Sequence, residues 1–229
     1  MRLGVLILVR LALDVQSYRI IPSNYPPIGV FEKCSEPADL DEMFELEGMT
    51  NDRLQEEVGD IRLVAPEDRV VGPGSSPIMA SFTHIGQSSR FTDGSFGVYY
   101  AALDLQTAII ETCFWQAQRL MDTNAPEMRI DMRSYISRTK SGVGEFVDLR
   151  SDESVHELNS YANSQLKARE LKEANEFGIY YRSVRNDGGE CIAALRPRIM
   201  SNATQSKHFQ YCWDGQQIAD VQEITSYAI

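Results

Sequence analysis

The stretch VYYAALDLQTAIIETCFWQAQRLM, residues 98–121, changes its hydrophobic rhythm in the middle, and that change decides the fold class. Val98 to Leu103 is an unbroken apolar and aromatic run of the length of a buried strand. Asp104 follows, a residue whose carboxylate caps free helical N–H groups, and it predicts a helix to about Met121. On a wheel of 100° per residue, Leu105, Ala108, Ile109, Cys113 and Leu120 form the main apolar face. Glu111 points nearly opposite, yet Phe114 and Trp115 flank it at i+3 and i+4. Two readings stay open for Glu111. It is a surface carboxylate beside exposed aromatics, or it lines an aromatic cleft where its hydrogen bonds can be put to use.

Towards the C-terminus, strands are expected at Met128–Tyr135 and Glu145–Leu149, with a polar helix near Ser154–Asn175. Three more strands, Gly178–Val184, Glu190–Leu195 and His208–Trp213, are separated by turns at Asn-Asp-Gly-Gly (186–189) and Asp-Gly (214–215). Towards the N-terminus, Ser23–Pro27 is a proline loop, and Asp39–Leu46 a short helix stopped by Gly48. A second helix starts at Thr50 and ends at Gly59, Ile61–Val64 is expected as a strand, and Val70–Pro77 is a Gly/Pro loop. That loop has neither the G-x-x-x-x-G-K-[ST] nor the G-x-G-x-x-G spacing, so it carries little weight as a phosphate cradle. Short strands interleaved with a few helices predict an α+β fold, and a chain of 229 residues can bury its core without metal or disulfide staples.

Charge narrows the partners. The net is −11, but ten acids and one base (Arg53) lie between Glu36 and Asp60, so the rest of the chain sums to only −2. This argues against direct nucleic-acid binding, which needs a basic face. The acidic segment is either a solvated helix face or a docking surface for a basic partner. Cys34, Cys113, Cys191 and Cys212 make no C-x-x-C pair and no zinc spacing, which fits reduced thiols and a cytoplasmic location. The apolar start, Met1 to Val15, is interrupted by Arg10 and is too short to span a membrane; it reads as a strand or an atypical start, with a weak signal peptide as the lesser alternative. His156-Glu157 opens an H-E-x-x-H pattern that Ser160 breaks, and no G-x-S-x-G occurs, so neither a zinc protease nor a serine hydrolase is indicated. No metal site is expected.

Three arginines stand where a phosphate site could be built: Arg19 after Tyr18, Arg90 in Ser-Ser-Arg-Phe-Thr-Asp-Gly, and Arg185 just past Ser183. Each alone is a surface ion pair; converging on one cleft, they would hold phosphate.

With these residues in view the chain resembles the RES-domain family, named for its Arg, Glu and Ser. Four blocks carry the resemblance: Tyr18-Arg19-Ile20, Ser89-Arg90-Phe91, Tyr100 to Glu111 across the strand-to-helix junction, and Tyr181-Arg-Ser183-Val-Arg185-Asn. A closing stretch, Glu190–Pro197, resembles the strand after the Ser block. The resemblance implies an ADP-ribosyltransferase-like α+β fold, with two small twisted β-sheets and surrounding helices about an NAD cleft. The whole chain, 1–229, then reads as a single domain, with residues 18–197 as core, 36–60 as an acidic helical insertion and 198–229 as a β-rich extension. It also implies cleavage of the nicotinamide–ribose bond of NAD+, with phosphate, water or a protein accepting the ADP-ribosyl group. NAD+ is substrate here, phosphate a co-substrate, and no resident cofactor is implied. Family members are commonly toxins silenced by an Xre-like helix-turn-helix antitoxin; no membrane partner is implied, and a homo-oligomer is compatible.

By matching position, the resemblance makes Glu111 the catalytic carboxylate, with Arg90 and Tyr100 beside it in catalysis. Tyr18, Arg19, Arg90, Ser183 and Arg185 would bind substrate, with Arg19 and Arg90 at the diphosphate or incoming phosphate and Ser183 near the nicotinamide ribose, and Tyr100 would pack against the nicotinamide or its ribose. The chain departs from the family in four places, one being a span from Arg19 to Arg90 that is much longer than in compact members and holds the acidic segment. Ser-Arg-Phe-Thr (89–92) replaces Gly-Arg-Trp-Asn, Trp115 stands where many members have His, and Arg182 replaces a frequent Pro. The competing reading is a catalytically silent interaction module that uses the acidic segment as its binding face.

Overall fold

A computed structural model describes residues 8–25, 27–49 and 54–225. Among these, nine strands and six helices follow one another, beginning with β1 (Arg10–Leu11), β2 (Gln16–Pro22), α1 (Gly29–Lys33), α2 (Leu40–Gly48), α3 (Leu54–Val58), α4 (Ser76–Thr83), β3 (Tyr99–Ala102) and α5 (Leu105–Asp122). Then come β4 (Met128–Arg138), β5 (Phe146–Asp148), α6 (Ala162–Glu173), β6 (Gly178–Arg182), β7 (Glu190–Ala194), β8 (Thr204–Trp213) and β9 (Ile218–Ile224). The fold is α+β.

The strands are ordered β1-β5-β6-β7-β3-β2-β4-β8-β9. All neighbours run antiparallel except β5 and β6, which are parallel. One step in this order is unlike the others. β3 pairs with β7 over four residues and β2 with β4 over seven, but β2 and β3 meet at one pair, Tyr18↔Ala102. The nine strands thus form one sheet, not the two small sheets expected from the sequence, and its narrowest junction is the single pair that joins β1-β5-β6-β7-β3 to β2-β4-β8-β9.

Alternation along the central strands sends successive side chains into two cores. Tyr99, Ala101, Tyr180, Ile192 and Ala194 pack with α1, α2, α3 and α4 in the first. Ala102, Ala108, Ile179, Tyr181, Cys191 and Ala193 pack with α5 and α6 in the second, where Tyr100 joins them. The acidic segment belongs to the first core: Leu40 and Val58 are fully buried while the acids point outward. Asp41 Oδ2 pairs with Arg69 Nη1 at 2.9 Å and Asp60 with the Arg62 guanidinium at 2.8 Å. Among the described residues, none of these acids hydrogen-bonds Arg90 or Tyr100.

The sequence expectations hold for the α5 cap and for most of the C-terminal strands, and fail in identifiable places. Ile61–Leu63 is a 3-10 turn, not a strand. Ile61 and Val64 both point inward and Leu63 outward, a spacing of three that a pleated strand cannot satisfy, and Asp60 caps the turn through the Arg62 N–H. The expected helix 154–175 is a 3-10 turn at Glu153–Val155, a loop, and then α6. The carbonyls of Val155, Glu157 and Leu158 accept from arginine side chains instead of from helical N–H groups. The Gly/Pro loop 70–77 runs into α4, whose first amides are already satisfied: Glu32 accepts from the Gly74 and Ser76 N–H groups at 2.6 and 3.0 Å. Gly74 has φ +85, and a Cβ there would lie 2.0 Å from the Ala203 carbonyl oxygen. The expected start of a helix at Thr50, and residues 1–7 of the apolar N-terminus, lie outside the described residues.

Candidate functional site

One anchor of the site is set by local chemistry at the start of α5. Asp104 Oδ1 accepts from the Thr107 N–H at 2.8 Å, and its Oδ2 from the Thr107 hydroxyl at 2.6 Å. Thr107 Oγ1 in turn accepts from Asn186 Nδ2 at 2.8 Å, which ties the turn after β6 to the helix. Gly189 closes that turn against Thr107; a Cβ there would sit 2.6 Å from Thr107 Oγ1, so the approach requires glycine.

The docked turn places Ser183. Its Oγ accepts from the N–H groups of Arg185 and Asn186 at 3.1 and 2.9 Å and donates to Glu111 Oε1 at 2.6 Å. With both lone pairs taken by amides, the hydroxyl proton has one direction left, and it points at the carboxylate. Glu111 Oε2 makes no hydrogen bond among the described residues. The half-buried carboxylate thus has one oxygen held and one available.

Beside this pair a series of ring contacts runs from Arg185 to Arg90. Arg185 lies over the Phe114 ring at 3.6 Å and donates to the Leu158 carbonyl. Phe114 meets Trp115 edge-on at 5.6 Å, Trp115 meets Tyr161 at 5.9 Å, and Arg90 lies over Tyr161 at 4.8 Å. Arg90 is buried and its Nη1 donates to the carbonyls of Val155 and Glu157 at 2.9 and 3.0 Å. Two of the three arginines therefore reach the Glu111 neighbourhood, and both anchor the loop between β5 and α6.

Tyr100 and Tyr181 both pack against Phe91. Tyr100 stacks on Phe91 at 6.4 Å, and its hydroxyl pairs with Ser89 and accepts from the Phe91 N–H. Burial raises that hydroxyl's pKa to about 12, opposed by these hydrogen bonds and by Arg90, so it stays protonated at neutral pH. Tyr181 packs edge-on against Phe91 at 4.8 Å. Its pKa is raised well above the usual phenol value, chiefly by burial, with the Glu111 carboxylate adding to the effect and Arg90 opposing it.

Tyr18 and Arg19 are not joined to this series of contacts. The Tyr18 hydroxyl accepts from Gln16 Nε2 at 2.6 Å while its ring packs on the second core. Arg19 lies beside the single β2–β3 pair, over the Tyr99 ring at 4.8 Å, with Nη1 on the Tyr100 carbonyl at 3.0 Å. Its Nε is buried without a partner, and burial lowers its pKa, opposed by Tyr99 and Tyr100. Two neighbours in sequence on one strand face opposite sides, so Tyr18 and Arg19 cannot both face one ligand from the same side of β2.

Sequence reasoning missed Tyr161, Thr107, Asn186 and Tyr181. Only Tyr181 left a usable signal: it lies two residues before Ser183 on a strand and therefore on the same face. Two concave regions lie apart from this series. One is lined by Asp68, Phe82, Lys172 and Arg196 among others, the other by Asp148, Arg150, Ser151, Glu153, Arg182 and Glu190. Among the described residues no three His, Cys, Asp or Glu side chains are grouped to hold a metal, and no helix is long and apolar enough to cross a membrane.

A relative in Sinorhizobium fredii (strain NBRC 101917 / NGR234), named "Uncharacterized protein y4oC", is 28% identical over 213 residues, covering 91% of this chain and 87% of its own. A solved structure, described as that of the M. tuberculosis MbcT-MbcA toxin-antitoxin complex, superposes with a TM-score of 0.46 at 8% identity, covering 94% of this chain and 87% of the other. The family model for the RES domain matches residues 66–214, well over half of the chain and the whole series of contacts beside Glu111 and Ser183, so the chain belongs to the RES-domain family.

Proposed function

We propose that this chain degrades NAD+ by breaking the bond between nicotinamide and ribose. The observation that carries the reading is the Ser183–Glu111 hydrogen bond beside the series of contacts that runs from Arg185 to Arg90. In the reaction the C1′–N bond breaks, the electron pair leaves with nicotinamide, and the ribose becomes oxocarbenium-like. A fixed carboxylate beside C1′ stabilises the positive charge as it develops, more than it stabilises the substrate. Ser183 holds Glu111 Oε1, leaving Oε2 to face the ribose. Arg90 and Arg185 offset the diphosphate's charge, and Arg90's fork suits a phosphate oxygen pair. Water or inorganic phosphate then adds to C1′; water loses its proton to bulk solvent, and phosphate gives an ADP-ribose phosphate ester. The chemistry needs no metal or resident cofactor.

Family membership supports the wider reading of a toxin neutralised by a protein antitoxin of the helix-turn-helix kind, with NAD+ depletion as the toxic act in the cytoplasm. In the competing reading of a silent interaction module, the acidic face of α2 and α3 is the working surface. Incubating purified protein with NAD+ and measuring free nicotinamide, with and without phosphate, decides between them. Release of nicotinamide is expected, and phosphate dependence identifies the acceptor. No release under either condition removes the catalytic reading.

A further inference from the structure

Trp115 occupies an unusual place in the series of ring contacts beside Glu111. It is 39% exposed, although its indole is propped edge-on by Phe114 and tilted against Tyr161. The two rings that prop it already carry cations, Arg185 over Phe114 and Arg90 over Tyr161. Among the described residues no guanidinium or ammonium covers Trp115. The ring with the strongest cation-attracting face is thus the one left open.

Distance selects what would cover it. Glu111 and Trp115 are i and i+4 on α5, so their Cβ atoms lie about 5–6 Å apart on one helix face. A ligand ring on Trp115 therefore lies close to the group that faces the carboxylate. In NAD+ that ring is nicotinamide, since a second ribose and the diphosphate separate adenine from the scissile bond.

We infer that Trp115 is the stacking platform for the nicotinamide ring and makes the site selective for the oxidised dinucleotide. The inference rests on the NAD+-cleavage reading above. Oxidised nicotinamide is a pyridinium cation, and an open indole face attracts it; the reduced ring is neutral and is not favoured in this way. The cation exists in the substrate and disappears as the bond breaks. Trp115 therefore contributes to substrate binding, while Glu111 contributes to the transition state. Neutral nicotinamide then leaves the indole readily. Trp115 is a specificity-determining residue in this scheme.

The chain has two tryptophans, which makes the test direct. Trp213 is 2% exposed and its Nε1 donates to the Ala125 carbonyl, so a ligand at the surface reaches only Trp115. Glu111→Gln protein, which binds without rapid turnover, is titrated with nicotinamide mononucleotide and separately with AMP while tryptophan emission is followed. Quenching by the mononucleotide and not by AMP is expected, and it disappears in Glu111→Gln/Trp115→Phe. In the catalytically intact background, Trp115→Ala is expected to raise KM for NAD+ about tenfold with kcat within about twofold, and Trp115→Phe to recover part of the loss. Quenching by AMP alone, or an unchanged KM in Trp115→Ala that still cleaves NAD+, overturns the stacking and leaves the cleavage reading intact. Wild-type protein that releases no nicotinamide overturns both.

Discussion

Ser183 Oγ donates to Glu111 Oε1 at 2.6 Å across 72 residues of chain, and this bond joins a turn after β6 to the exposed side of α5. Its geometry is not adjustable. The same oxygen accepts two backbone N–H groups from its own turn, so the proton has no alternative acceptor there. Positioning of the carboxylate and closure of the turn are one arrangement.

Ser183→Ala breaks both functions at once. Two turn N–H groups lose their acceptor, which costs about 1–3 kcal/mol for partly buried donors. Chemical denaturation should show a fall of that size, with an unchanged m value. Glu111 loses its orienting donor, so kcat for NAD+ cleavage should fall more than KM rises. A variant with full stability and full turnover would remove Ser183 from the site.

Asp104→Ala tests how the turn is held from the other side. Loss of an N-cap costs about 0.5–2 kcal/mol. Thr107 also loses the acceptor for its hydroxyl, and the Thr107–Asn186 link weakens with it. The expected result is a lower melting temperature together with a loss of kcat. Asp104→Asn keeps an acceptor for the Thr107 N–H and should restore most of the stability. If activity is untouched in Asp104→Ala, the cap does not position the site.

Arg90→Lys keeps the charge and loses the fork. Arg90 holds two carbonyls of the β5–α6 loop through one nitrogen, which leaves its other nitrogens for a phosphate. A lysine can serve one of these tasks at a time. Weaker NAD+ binding, by about ten- to a hundredfold, is expected from losing a charge-assisted hydrogen bond. Calorimetry on the Glu111→Gln background measures it without turnover; wild-type affinity in the lysine variant refutes the assignment.

Much of this site was legible because it depends on short-range rules. Asp104 announces α5 by its capping chemistry, and Glu111 announces itself by standing between aromatics on the polar face of that helix. Ile61–Val64 misled because apolar residues at 61, 63 and 64 fit spacings of two and three equally well, and only the packing partner separates them. Tyr161 was invisible for a different reason. It meets Trp115 and Arg90 across 46 and 71 residues, and nothing in its own neighbourhood encodes those contacts. The narrow β2–β3 junction at Tyr18↔Ala102 is a non-local pairing of the same kind, and so is the placement of Arg19 beside it. The acidic segment also contributes apolar residues, Leu40 and Val58, to the core.

His156 supplies a pH dependence. Its Nδ1 lies 2.8 Å from the Asp152 carbonyl, which can only accept, so Nδ1 carries the proton; Nε2 accepts from the Arg182 N–H at 3.1 Å. The ring is therefore neutral. Burial lowers its pKa from 6.5, with Arg182 and Arg90 adding to the effect and the Asp152 carbonyl and Glu153 opposing it. With the folded value depressed, the unfolded chain takes up the proton first as pH falls. The stabilisation is complete above pH 6.5 and is lost as pH falls through the folded value. Arg182 ends β6, directly before Ser183, so the same protonation loosens the turn that holds Glu111. The melting temperature should fall more steeply below about pH 6.5 in wild type than in His156→Gln. Parallel curves would exclude His156 as the source.

Glu111→Gln isolates the charge from the shape. Glutamine keeps an oxygen that can accept from Ser183, so the turn, the α5 packing and the melting temperature should change little. What disappears is the negative field at C1′ of the ribose, and with it the stabilisation that grows as positive charge develops. Removing one preorganised electrostatic group typically costs about 10²–10³ in kcat, so nicotinamide release should fall by at least that factor. Binding should survive, because the interaction is weak in the substrate and strong only in the transition state. Calorimetric affinity for NAD+ within a fewfold of wild type, with turnover nearly abolished, is the expected pair of results. In cells, overexpressed wild type should deplete NAD+ and slow growth while Glu111→Gln should not. A glutamine variant that cleaves NAD+ at the wild-type rate would leave the carboxylate without a catalytic part and the mechanism without its centre.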